Sequence, residues 1–206
     1  MPYIKELDML FIHIPKTGGT SFEEYLLNKK KYTLYLHSMG GENKDVTFNH
    51  KSLQHMPYKS IIENQQLFNI KVKIEDVKMI LAFVRNPYER VMSDLFWLKF
   101  NNKDDSPEDI YNTLQNYYFD RDDLDYHNYP QHYFLLDSDG KRIENVKIIK
   151  TEDLTNSLQN IGFFDYNVTL NDGKSKSYMK YLNEDSIRLI NSRFKKDFEL
   201  FEYPMK

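Results

Sequence analysis

The chain has 206 residues, enough for one α/β core and too few for a second independent one. Its net charge of -3 predicts no general affinity for nucleic acid, and its lack of cysteine excludes disulfides and thiolate metal sites. No stretch approaches the roughly 18 apolar residues of a membrane span, and no basic region precedes a long apolar run at the N-terminus, so a soluble cytoplasmic protein is expected.

In chain order, MLFIHI (9–14) is a continuous apolar run closed by Pro15, the pattern of a buried strand. Thr20 to Asn28 reads as a helix with Phe22, Tyr25 and Leu26 on one face, and TLYLH (33–37) as a second strand. Ser60 to Phe68 reads as a short helix and MILAFV (79–84) as another buried strand. A strong helix start follows: Asn86 as N-cap, Pro87 in first position and Glu89 completing a capping box. Val91, Leu95 and Leu98 form one stripe of that helix and Met92 and Phe96 another, so it is expected to be largely buried. Residues 101–128 read as irregular and acidic, VKIIK (146–150) as a strand and Glu152 to Asn160 as a helix. A last helix starts near Asn183, with Glu184 and Asp185 in its first turn, Lys195 and Lys196 near its end, and Ile187, Ile190, Phe194 and Phe198 on its apolar face. Strands alternating with helices predict a single domain over 1–206. Its fold class is α/β: a P-loop-like three-layer sandwich with a central, mostly parallel sheet flanked by helices.

Two strand-to-helix junctions carry the chemistry. In IPKTGGTS (14–21), Gly18 and Gly19 let the backbone curl towards a ligand, while Thr20 and Ser21 add hydroxyls beside free N–H groups at a helix start. That arrangement binds a phosphate through N–H donors and the helix dipole, with Lys16 as a charge on the rim and Thr17 within the loop. The alternative is a glycine turn with an ordinary surface lysine. It is not a Walker loop: the lysine precedes the glycines, no GK[ST] occurs, and no acidic strand end offers Mg²⁺ ligands. In FVRNPYERVMSDLFW (83–97), Arg85 at a strand end and Ser93 two turns into the next helix suit a pinch on one phosphate. A capped core helix with a solvated arginine is the other reading.

Together the two motifs resemble those of the sulfotransferases that use 3'-phosphoadenosine 5'-phosphosulfate (PAPS). The first is similar to that family's 5'-phosphosulfate loop and the second to its 3'-phosphate motif. The resemblance is closest to the carbohydrate branch, the heparan- and chondroitin-type enzymes of the Golgi and their microbial and viral relatives. It extends to YPQHYFLLDSDGKRIENVKIIKTEDL (129–154) and to the ending KKDFELFEY (195–203). The Golgi enzymes carry a membrane anchor and usually cysteines, which this sequence lacks, so the resemblance implies a glycan as acceptor class without carrying over their particular acceptors.

The resemblance implies metal-free, in-line sulfuryl transfer from PAPS to an acceptor hydroxyl, on a glycan or a small molecule, releasing 3'-phosphoadenosine 5'-phosphate (PAP). Lys16 is implied as the cation on the leaving oxygen. The nucleotide is assigned to Lys16, Thr17, Gly18, Gly19, Thr20, Ser21, Arg85 and Ser93. Lys174 is added from the basic segment GKSKSYMKY (173–181), which otherwise reads as a solvated loop. A base tunable near neutral pH is expected to be histidine. His50 is the first candidate; His55, Glu23 and Glu24 are alternatives, and His13, inside a strand, reads as structural. Eight carboxylates against Arg121 over 104–125 predict a neutral or lightly charged acceptor if the stretch borders the cleft, or else a solvated loop. A P-loop kinase or NTPase, and a non-catalytic nucleotide-binding module, are the competing functions. Intact Lys16, Arg85 and Ser93 argue against the latter.

Overall fold

The computed structural model describes residues 1–36, 47–48, 50–67, 72–167 and 178–206. The described strands are β1 (Tyr3–Ile4), β2 (Met9–Ile12), β3 (Leu34–Tyr35), β4 (Thr47–Phe48), β5 (Lys51–Ser52), β6 (Met79–Val84) and β7 (Val146–Lys150). The described α-helices are α1 (Gly19–Glu24), α2 (Tyr58–Asn64), α3 (Pro87–Trp97), α4 (Pro107–Thr113), α5 (Leu154–Asn160), α6 (Glu184–Arg193) and α7 (Lys195–Leu200).

Five strands form one sheet in the order β3-β1-β2-β6-β7, and β4 and β5 form a separate hairpin. β2, β6 and β7 are parallel neighbours, with Phe11 opposite Leu81 and Ala82 opposite Ile148. Only β1 is reversed, antiparallel to both β2 and β3. The sheet is therefore mostly parallel, as expected. β2 and β6 are apolar throughout because both faces are covered. Leu10, Ile12, Ala82 and Val84 meet Ile61 of α2 and Phe134 on one face. Phe11, Leu81 and Phe83 meet Phe22 of α1 and Leu158 of α5 on the other. A third cluster joins α3, α4, α6 and α7 through Leu95, Ile110, Ile190 and Phe198.

Three local expectations are corrected. The acidic stretch contains α4, whose N-cap Ser106 and Asp109 form a reciprocal capping box with Pro107 in the first turn. Asn86 caps α3 by accepting from the Tyr88 N–H at 3.0 Å, but Glu89 does not close a box; the Asn86 N–H donates instead to Glu152 Oε1 at 2.8 Å. The last helix breaks at Phe194 (φ -111°, ψ 21°), so Lys195 and Lys196 open α7 rather than close a helix. The expected apolar face survives the break, because Ile190, Phe194 and Phe198 are all buried. α1 runs on into a π-helical turn, Tyr25–Lys29. His37 and Phe68, the expected ends of one strand and one helix, lie outside the described residues.

Candidate active site

The loop between β2 and α1 curls through two left-handed residues, Lys16 (φ 65°) and Gly18 (φ 94°). Gly18 takes that conformation without penalty; Lys16 is held in it by its surroundings. The buried Thr17 hydroxyl donates to Ile14 O at 2.8 Å, and Thr17 O accepts from the Thr151 hydroxyl at 2.6 Å. Thr17 thus shapes the loop, while Thr20 is exposed and Ser21 half-buried. Gly19 is required by packing: a Cβ there would lie 2.4 Å from the His13 ring.

The second motif meets the first. Arg85 follows β6, the parallel neighbour of β2, and its Nη1 donates to Lys16 O at 3.4 Å. Its Nη2 lies 3.7 Å from Glu89, one turn along α3, and its guanidinium 6.0 Å from the Tyr178 ring. Gln131 clamps the Arg85 backbone, accepting from its N–H and donating to its carbonyl, both at 2.8 Å. Ser93 is half-buried on α3.

Arg90 is the strut between this pair of motifs and the rest of the site. It is 2% exposed and donates to Pro15 O (3.0 Å), Tyr129 O (2.9 Å) and His127 O (2.7 Å). One rigid guanidinium therefore ties the β2–α1 loop to the 127–129 segment.

From Lys16 a run of rings leads inward. Lys16 Nζ lies 4.8 Å from the centroid of Trp97, which is stacked on His127 at 4.9 Å and 6°. His127 meets His55 edge-on at 5.1 Å, and His55 meets His13 at 4.9 Å. Each histidine has its own carboxylate: Nδ1 of His127 lies 2.6 Å from Asp94, that of His55 2.9 Å from Asp125, and that of His13 2.5 Å from Glu23. Burial lowers the Lys16 ammonium below the ordinary lysine value; the Arg85 charge adds to this and Asp94 opposes it. Burial also pushes His55 down to about 4, against the pull of its Asp125 hydrogen bond. Burial works to raise Asp125, but hydrogen bonds from His55 and Ser52 outweigh it and hold the carboxylate below its usual range. Asp94 is held low in the same way, with His127, Tyr118 and the Arg90 charge overcoming burial.

The structure thus brings Lys16, Thr17, Gly18, Gly19 and Arg85 to one edge of the sheet. His50 is exposed in the β4–β5 turn at φ 63°. Glu23 is fully buried against His13 and Gln54, whereas Glu24 is exposed. Lys174 and its neighbour Lys176 lie outside the described residues. Sequence reasoning passed over Trp97, Asp125, His127 and Arg90. The only available signal was Arg90 itself, a charge set between two apolar stripes of α3. No metal ligands were expected, yet His55, Asp125 and His127 converge closely enough to hold an ion.

A curled loop and an arginine-bearing strand end thus meet at the carboxyl edge of the parallel strands of an α/β protein. Over residues 3–204 the chain matches the model of the sulfotransferase family, and it belongs to that family. Membership makes it a transferase of sulfuryl groups. Neither the curated proteins nor the solved structures contain a match to it. No helix among the described residues is long and apolar enough to cross a membrane.

Proposed function

We propose that this chain transfers the sulfuryl group of PAPS to a hydroxyl of a glycan, with Lys16 as the leaving-group cation and His55 as the base. The observation that carries the reading is the junction of the two phosphate motifs, Arg85 Nη1 on Lys16 O at 3.4 Å. Backbone N–H groups around Gly18 and Gly19, with Ser21 and Lys16, hold the 5' end of the nucleotide; Arg85 and Ser93 hold its 3'-phosphate. In the transfer, the acceptor oxygen bonds to sulfur as the bond from sulfur to the 5'-phosphate oxygen breaks. The acceptor proton passes to His55, and Lys16 compensates the charge left on the PAP oxygen.

His55 is preferred to His50 on geometry. Asp125, at 2.9 Å, accepts a hydrogen bond from Nδ1–H, leaving Nε2 as the basic nitrogen and opposing the burial that disfavours the imidazolium. His55 also adjoins, through His127 and Trp97, the ring on which Lys16 rests. The glycan is preferred to other acceptors on the likeness of the motifs to the carbohydrate branch.

Isothermal titration tests the donor: PAP is expected to bind without added metal and more tightly than ATP with Mg²⁺. The reverse order would return the site to the kinases and NTPases. Labelled PAPS offered to arrayed glycans, phenols and peptides tests the acceptor, with label expected on glycans. Label confined to phenols or peptides would overturn that part.

A further inference from the structure

His55, Asp125 and His127 each offer one ligand atom, and the three atoms lie within 4.8 Å of one another. Asp125 (φ 47°) and Tyr126 (φ 66°) are consecutive left-handed residues. Non-glycine residues seldom adopt that conformation, and two in succession persist only where surrounding contacts impose it. This bend brings Asp125 and His127, two residues apart, together with His55 from the turn after β5.

The supporting contacts are those of a metal centre. Nδ1 of His127 is 2.6 Å from Asp94, whose other oxygen accepts from the buried Tyr118 hydroxyl at 2.7 Å. His127 is thereby oriented to offer Nε2, the carboxylate–histidine arrangement that fixes metal-binding imidazoles. Asp125 is fixed by the Ser52 N–H and hydroxyl, both at 2.7 Å. His55 Nδ1 and Asp125 Oδ2 are 2.9 Å apart as hydrogen-bond partners; an ion at about 2.0–2.2 Å from each takes the place of their shared proton and parts them by about 0.5 Å. Two imidazoles and one carboxylate suit Zn²⁺ and its first-row neighbours, whereas Mg²⁺ and Ca²⁺ favour all-oxygen sites.

We propose that His55, Asp125 and His127 form a site for a divalent first-row transition ion, typified by Zn²⁺, whose occupancy switches transfer off. The inhibitory half rests on the base assignment above: an ion on His55 and Asp125 occupies the pair that must accept and stabilise the acceptor proton. The binding half stands on the ligand geometry alone.

The full chain, freed of metal with a chelator, is titrated with Zn²⁺ by calorimetry and with Co²⁺ by visible absorption. One equivalent of each is expected to bind, with Co²⁺ showing the intense bands of a low-coordinate site, and tenfold excesses of Mg²⁺ or Ca²⁺ are expected not to displace it. Asp125→Asn and His55→Gln are each expected to weaken Zn²⁺ at least 10-fold while PAP affinity, measured in the same samples, stays within 2-fold. Failure of the wild-type chain to bind one equivalent of Zn²⁺ overturns the site, as does unchanged affinity in both variants. Zn²⁺ is expected to inhibit transfer at the concentration that half-fills the site; filling without inhibition overturns the switch. Absence of transfer to any acceptor would count against the proposed function, and the calorimetry would still decide the site.

Discussion

Two side chains decide how the reaction depends on its surroundings. In the proposed reaction Lys16 acts as the ammonium, and burial lowers its proton affinity. Activity is therefore expected to decline on the alkaline side at a lower pH than the ordinary lysine value of about 10.4 would give. A bound phosphoanion favours the charged form, so PAP binding in that window takes up a proton; calorimetry in buffers of different ionisation enthalpy measures it. Lys16→Arg, always charged, is expected to remove the alkaline decline even at a lower rate. If its profile still falls with the wild-type midpoint, Lys16 is not the group responsible. The sign for folding is the opposite of a paired lysine's. The folded chain binds fewer protons here than the unfolded one, so Lys16 makes stability rise with pH between its lowered value and the ordinary one. The base is settled by two substitutions. His55→Ala is expected to lose about 10²–10⁴-fold in turnover with PAP affinity kept, the usual loss for a general base. His50→Ala, altering an exposed turn residue, is expected to stay within about 3-fold of wild type. The opposite ranking would restore His50 to the role its sequence position suggested.

At the scale of elements, what was legible was local. β6 was found residue for residue, because MILAFV is an unbroken apolar run ended by Arg85 and a proline-led helix start. Both strand-to-helix junctions were legible because strand, loop and helix are contiguous in each. The His55–Asp125 pair spans 70 residues and depends on the bend at Asp125 and Tyr126, which no residue pattern announces. α4 was missed although Ser106, Pro107 and Asp109 spell its start, because the acidic composition around them reads as loop. Arg90 drew no reading from the sequence, since its three carbonyl acceptors come from segments 37 to 75 residues away. Its role is testable. Arg90→Met would take the donor from Pro15 O and Tyr129 O and leave His127 O only the Tyr118 hydroxyl at 3.3 Å, at about 1–3 kcal/mol for each buried group left unsatisfied. We expect destabilisation of about 3 kcal/mol in urea unfolding, with PAP affinity and turnover falling together because the phosphate loop and the His127 segment lose their common tether. A variant equally stable but impaired only in PAP affinity would instead make Arg90 a nucleotide contact.

The molecule as a whole is slightly acidic, and the excess is not spread evenly. Of the eight carboxylates in 104–125, two serve local structure: Asp105 accepts from the Asn101 and Asn102 amides, and Asp109 closes the α4 box. Asp123 is paired with Arg121, and Asp125 enters the candidate site against His55. Asp120 and Asp122 are exposed just before it. The stretch is thus not a remote loop throughout: its C-terminal end supplies Asp125 to His55, the proposed base. In the proposed reaction an acceptor approaching His55 meets the carboxylates of this edge, with Lys51 beside them 4.1 Å from the Tyr126 ring, while Lys16 and Arg85 serve the donor. A heavily sulfated chain is repelled there, and a neutral glycan is not. The ratio of kcat/KM for a neutral oligosaccharide over a sulfated one of the same backbone is expected to exceed one at low ionic strength. It is expected to shrink as salt is raised to about 0.5 M, because screening acts on the repelled substrate alone. Asp120→Asn with Asp122→Asn should narrow the ratio at low salt without changing PAP affinity. A preference for the sulfated chain at low salt would mean that cations outside this edge govern acceptor choice.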